Sequence, residues 1–375
     1  MTRLFIDVHV LQTVPPSNIN RDDTGSPKTA VYGGVTRARV SSQAWKRATR
    51  QAFRAALDPA SLGVRTKRVV QLLSTQIAAS APGIDADDLA AQVMKAVGIE
   101  LEKPKRASKK AEPANEREQS KYLLFLSASQ IQRLTQLAIE AARTGTDIDK
   151  AAAKAAARGA DSIDVALFGR MVADAADLNV DAAAQVAHAI SVHEVNNEFD
   201  YFTAVDDLAP EDNAGAGMIG ALEFNSSTLY RYATVNIAAL HENLGDDNAT
   251  VAAVKTFLST FVTSMPTGKQ NTFANRTLPE AVLVSVRTDQ PVNLVQAFEE
   301  PVTALGAGRA SAATKALVAK FQAVEGSYGD GSTVNFVVAA GEGADALREL
   351  AEPASLKQVV EQVSGLVSAA LDATS

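Results

Sequence analysis

The chain has 375 residues, with 36 basic against 43 acidic, for a formal charge of −7. The absence of cysteine excludes disulfides, thiolate metal clusters and thiol nucleophiles. The net charge argues against nucleic acid, whose phosphates need cations, but it hides a split. Residues 1–70 hold twelve basic and four acidic residues, a net of +8, against −15 for the remainder.

A 46% hydrophobic content is ample for a core, and the length suggests two or three domain-sized units. Asp7 and His9 interrupt the first apolar run, so it does not read as a signal peptide. No stretch approaches the ~18 apolar residues of a membrane span. A soluble, cytoplasmic protein without membrane contact is expected.

Residues 3–13 alternate Phe5, Val8 and Val10 with polar neighbours and end at Pro15-Pro16, which predicts a strand. Residues 15–36, rich in Pro, Asn, Asp, Gly and Ser, read as a long loop, and Ala38–Val40 as a short strand. Ser41-Ser42 then offers an N-cap to the helix QAWKRATRQAFRAAL. Trp45, Ala48, Ala52, Phe53 and Ala56 make its core face. Lys46, Arg50 and Arg54 recur at i, i+4, i+8 on another, with Arg47 beside them.

Residues 60–192 are Ala-rich with helical spacing near 67–80, 85–97, 120–143, 147–158 and 180–193. Within them, 102–121 holds seven basic residues, four acidic residues and two prolines with almost nothing apolar, and predicts a mobile linker. A solvated loop is its favoured reading over contact with nucleic acid. Residues 197–224 mix aromatics, Asp and Gly without helical period, as an irregular or hairpin excursion would.

Thr228–Ala238 alternates again as a strand, with Leu229, Arg231, Ala233 and Val235 on one side and Tyr230, Tyr232, Thr234 and Asn236 on the other. A helix (248–264), a loop (265–279), a strand (281–287), a helix (310–325), a strand (332–340) and a final helix (354–371) follow. The pattern alone describes an α/β core of modest sheet size, interrupted by a helical insertion.

Several motifs fail on context. GAGMIG at 215–220 has the dinucleotide spacing, but lacks a preceding strand and a following helix. PTGKQN at 266–271 lacks the first glycine of a phosphate loop, and Gln270 stands where Ser or Thr is needed. His9, His188, His193 and His241 form no metal-binding pair. Asp22-Asp23 and Asp206-Asp207 are adjacent carboxylates, commoner in turns and caps than in catalysis.

What remains is the basic N-terminal part. Ser41, Ser42 and Gln43 place donors at a helix start, where the positive dipole end suits a phosphate. Lys46, Arg47 and Arg50 add charge one to two turns on, and Arg37 and Arg39 precede them.

NRDDTGSPKTAVYGGVTRARVSSQAWKRATR (20–50) resembles the CasC family, the crRNA-binding backbone subunit of the type I-E CRISPR Cascade complex. DVALFGRMVAD (164–174), AAAQVAHAISVH (182–193), FTAVDDL (202–208), GAGMIGALEFNSSTLYRYATVN (215–236) and MPTGKQNTFA (265–274) match in family order. The resemblance implies an α+β fold shaped like a hand. Its palm is a modified RRM-like (ferredoxin-like) sheet in two parts, 1–59 and 225–375. A helical fingers insertion spans 60–192 and an extended hairpin thumb 193–224.

It also implies a role. Copies of the chain stack along the guide crRNA, hold its phosphates, flip out a nucleotide at intervals, and present the rest for pairing with target DNA. Partners would be crRNA, target DNA, further copies, and the large, small, five-prime-end and crRNA-processing subunits. The resemblance implies no catalytic residue, no cofactor and no metal.

Guide contacts carry over to Lys28, Ser41, Gln43, Lys46, Arg47 and Arg50, and with them Lys269, Gln270 and Asn271. A scaffold for arbitrary guides must hold phosphates rather than read bases, and these residue types suit that. Kinking a strand calls for an apolar wedge, for which Met171 and Phe202 are the candidates. The other reading of Met171 is plain core packing. Backbone subunits of type III complexes cut target RNA with a loop Asp, so a ribonuclease using Asp22 or Asp23 is the alternative function.

Overall fold

The structure, a computed structural model, describes residues 3–104, 117–204, 218–303, 306 and 308–373. Most of the expected linker, the start of GAGMIG, Asp206-Asp207 and the tip of the 197–224 excursion lie outside the described residues. The chain divides into two compact units. One comprises Met1–Ala52, Gln185–Val235 and Val254–Ser375, and the other Phe53–Ala184 and Asn236–Ala253.

The first unit is built on an antiparallel sheet. Its main path runs Val334–Ala339, Ala281–Arg287, Phe5–Ser17 (β1), Met218–Asn236, Ala189–Ser191, Val35–Val40 (β3) and Thr29–Tyr32 (β2). β1 pairs antiparallel with Ala281–Arg287, from Phe5 opposite Arg287 to Leu11 opposite Ala281. Leu11, Leu283 and Val337 on one face pack with Ala313, Leu317, Val318 and Phe321 of the Arg309–Tyr328 helix.

Alternation in β1 does not divide core from solvent, because Ile6, Val8 and Val10 and the intervening Asp7 and His9 are all buried. The polar pair is therefore bonded internally. The Tyr232 hydroxyl and the Val292 N–H donate to Asp7, each at 2.8 Å, and His9 Nδ1 lies 2.9 Å from the Tyr230 hydroxyl. Burial pushes the Asp7 carboxyl up to about 6 and His9 down to about 3.

Several expectations change. β1 runs through Pro15-Pro16 to Ser17 instead of ending there. Leu124–Ser127, expected within the 120–143 helix, is a strand paired with Gly63–Thr66, and the helix starts at Ala128. The 15–36 loop contains strand β2, which pairs with β3 through a turn at Gly33-Gly34. That turn needs glycine: both have positive φ, and a Cβ on Gly33 would collide with the Glu299 carbonyl.

The expected helix at 180–193 is extended instead. Ala189 and Ile190 pair with β3, and Ile190 and Ser191 pair with Met218–Asn236, so two sheet neighbours override the helical propensity of an Ala-rich run. Finally, the strand expected through Ala238 stops at Asn236. Its side chain accepts from the Ala239 N–H and starts the helix Ile237–Leu244.

The second unit is mainly helical, with Val69–Ser80, Ala86–Val97, Ala128–Thr144, Lys150–Ala157 and Ile163–Phe168. Leu73, Ile77, Val93, Met94, Leu134 and Ala138 are among its core residues. Ser127 and Gln130 form a capping box at one helix start. No helix among the described residues is long and apolar enough to cross a membrane.

Candidate nucleic-acid interface

The candidate interface is assembled around Asn20, which opens the 20–50 segment but is not among the expected contacts. Its side-chain oxygen accepts from the Ser41 N–H at 2.8 Å, and its backbone carbonyl accepts from the Lys28 N–H at 2.9 Å. The Lys28 carbonyl in turn accepts from the Arg39 N–H at 2.8 Å. One asparagine thus ties the N-terminal loop, β3 and the start of the helix Ser42–Ala56 (α1).

His188, which belongs to no metal-binding pair, joins the same cluster. Its Nδ1 accepts from the Ser42 N–H at 3.2 Å, with Arg39 Nη1 at 3.4 Å. In the neutral ring the proton therefore sits on Nε2. Burial, followed by the charges of Arg39 and Lys28, lowers its pKa. Only the fold reveals this cluster, because strand pairing at 189–191 is what brings residue 188 to α1.

Along α1, Trp45 is buried against Val14, Ala38, Val40, Leu229 and Met265. Gln43 and Arg47 are exposed, while Lys46 and Arg50 are half-buried. Burial lowers the Lys46 pKa. Arg37, basic by type, belongs to the scaffold: its guanidinium donates to the carbonyls of Tyr32, Ser191, Phe298 and Glu299.

The 265–276 loop meets this region at Gly268, where a Cβ would collide with the Ile19 carbonyl. Glycine is required there by close approach of two backbones. Lys269 follows in a left-handed conformation, and Gln270 and Asn271 open a short turn of helix ending at Phe273. The Phe273 ring packs 5.9 Å from that of Phe224.

Phe224 lies in the hairpin of Glu198–Ala204 with Met218–Phe224, in which Phe202 stands opposite Gly220. The Phe202 ring lies across Gly220, where a Cβ would enter it. The other hairpin face presents Phe199 (69% exposed) and Tyr201 (66%). The Asn18 side chain donates to the Glu223 carbonyl at 2.9 Å and to that of Gly25, tying the hairpin base to the N-terminal loop.

Lys28, Ser41, Gln43, Lys46, Arg47, Arg50, Phe202, Lys269, Gln270 and Asn271 thus all belong to the first unit, on three segments that touch one another. Met171 belongs to the second unit and is 83% exposed, so core packing is not its role. Both neighbours anchor it. Arg170, buried, donates to the Leu178 and Phe125 carbonyls, and the Val172 N–H donates to Asn179.

Asp22 shapes its own loop: its Oδ1 accepts from the Thr24 N–H and hydroxyl and from the Ser26 N–H. The Thr24 hydroxyl leads the causes that hold its pKa low. Among the described residues no cluster of three or more His, Asp or Glu is arranged to hold a metal.

The family model of CT1975-like proteins matches residues 6–362. The chain belongs to the CT1975-like family. A chain of a solved structure described as "CRISPR RNA-guided surveillance complex, pre-nicking" is similar to this CT1975-like chain at 35% identity. Its TM-score is 0.85, with 97% of this chain and 100% of that one covered. A second, described as "CRISPR RNA-guided surveillance complex", is similar at 29% identity and TM-score 0.63, with 96% and 99% covered. No curated protein matches the chain. The CT1975-like chain is a mixed α/β protein with an antiparallel sheet and many helices, structurally similar to subunits of CRISPR RNA-guided surveillance complexes.

Proposed function

We propose that this CT1975-like chain is a non-catalytic backbone subunit of a type I-E CRISPR surveillance complex of the CasC type. Copies of it line the guide crRNA, hold its phosphates, kink it at intervals and present it to target DNA. The palm is RRM-like and drawn from 1–59 and 225–375, with fingers at 60–192 and a thumb at 193–224. The observation that carries this reading is the 35% identity over 97% of the chain to a surveillance-complex chain. The meeting of Lys28, Ser41, α1 and the Lys269 loop supports it, since each supplies groups that can hold a phosphate. Exposed, anchored Met171 and the aromatic hairpin supply the apolar surfaces that a kinked strand requires.

The test is guide binding by wild type and by the double variant Lys46→Glu, Arg50→Glu across a salt series. Binding should fall with a log–log slope of about −0.7 per phosphate neutralised. The double variant should bind weakly whatever the guide sequence; unchanged affinity would remove α1 from the RNA surface. Labelled RNA complementary to the guide, incubated with magnesium and the assembled complex, should stay intact. Cleavage abolished by Asp22→Ala or Asp23→Ala would establish the ribonuclease reading instead.

A further inference from the structure

The Lys269 loop builds a small cleft that shares Gln270 with the contacts above and adds residues that they do not use. Met265, Pro266, Gln270, Asn275 and Arg276 line it. Asn275 is 2% exposed, and its side-chain nitrogen is buried without a hydrogen-bond partner. Buried donors are normally satisfied, so an unpartnered one in a residue that lines a cleft marks a place for an acceptor.

The remaining lining says which acceptor. Arg276 is exposed and makes no hydrogen bond or ion pair among the described residues. Gln270 adds a second amide, and no carboxylate lines the cleft. Amide and guanidinium donors without an acid select an anion over a cation. Through Gly268 against Ile19, the loop adjoins the Asn20 cluster that holds Lys28 and Ser41. The cleft therefore continues the cationic surface.

We propose that this cleft is a phosphate subsite, in which Asn275, Gln270 and Arg276 donate to one backbone phosphate of a single-stranded RNA. The proposal rests on the RNA-binding reading above and adds Asn275 and Arg276 to its contacts. The Asn275 amide fixes a phosphate oxygen at the floor of the cleft, and Arg276 closes over it from the rim.

The experiment measures binding of the full chain to labelled single-stranded RNA of mixed sequence over a salt series. It compares wild type, Asn275→Asp, Asn275→Ala, Arg276→Gln and the Lys46→Glu, Arg50→Glu control, with melting curves for each. Arg276→Gln should weaken binding about tenfold and reduce the salt slope by about 0.7. Asn275→Asp, which sets a charge against the phosphate, should weaken binding more than Asn275→Ala.

If the control loses binding while Arg276→Gln and Asn275→Asp match wild type, the subsite is overturned and the wider RNA surface stands. If the control also binds normally, both fall. Should Asn275→Asp fail to fold, Arg276→Gln, an exposed position, decides alone.

Discussion

The guanidinium of Arg231 lies 3.8 Å above the ring of Trp45. It also donates to Gln12 Oε1 at 2.7 Å and to the Phe261 carbonyl. Arg231 is fully buried, and desolvation lowers its pKa to about 9, since among the described residues no carboxylate pairs with it. Trp45 is the core anchor of the helix that carries Lys46, Arg47 and Arg50, so this stack sets where those charges sit. Arg231→Ala should cost about 3 kcal/mol, because it leaves Gln12 and the carbonyls unmatched beside a cavity. Arg231→Met, which fills the space, should cost less. Urea unfolding of both variants checks the order; equal losses would mean that packing around Trp45 contributes nothing.

On the proposed function, His188 gives guide binding a pH dependence. Its Nδ1 accepts from Ser42 and faces Arg39, with Lys28 the other charge acting on it. Protonating Nδ1 ends that acceptance and frees the Ser42 N–H for a phosphate. A bound phosphate favours the imidazolium, so binding takes up a proton and strengthens as pH falls. Affinity should rise several-fold from pH 7.5 to 5.5 in wild type, and the gain should vanish in His188→Gln. Parallel pH profiles for the two proteins would contradict this.

Asp7 and His9 pull stability in opposite directions with pH. The Asp7 value is raised from 3.8 to about 6, so the folded state holds its proton longer, and this contribution is lost as pH rises through that window. The His9 value is lowered from 6.5 to about 3, so the unfolded state takes the proton first, and stability is lost as pH falls below 6.5. Between about pH 4 and 6 the two slopes oppose each other. Asp7→Asn removes one of them and should steepen the loss on acidification by up to about 1.4 kcal/mol per pH unit. Urea melts at pH 4.5, 5.5 and 6.5 measure the slope.

Met171→Ala separates a surface wedge from a core residue. An exposed position costs within about 0.5 kcal/mol, whereas a buried methionine costs about 2–5 kcal/mol. The variant should melt like wild type. On the proposed function, it should bind guide RNA yet lose the fluorescence of a base analogue placed at the kink.

The strand at Ala281–Arg287 and the helices at Val69–Ser80 and Ala86–Val97 were legible because burial imposes one period over a whole element. β2 was not, since four residues inside a Gly- and Asp-rich loop carry no period of their own. Ala189–Ser191 was misread because its two sheet partners are distant in the chain. At the interface, residue type pointed to Ser41, Lys46 and Arg50. It did not separate Arg37, consumed by four carbonyls, from Arg39 beside His188. Nothing in the local sequence marked Asn20 as the residue holding the parts together.

The contact of Gly268 with Ile19 has a consequence for synthesis. The ribosome delivers the cationic N-terminal loop early and the backbone that braces it only after most of the chain has emerged. Domains tend to fold as units during synthesis, and long-range contacts close late. A nascent chain therefore displays the charge without the brace. On the proposed function, the finished grip on an anionic strand becomes a property of completed molecules, and fragments ending before residue 268 lack it.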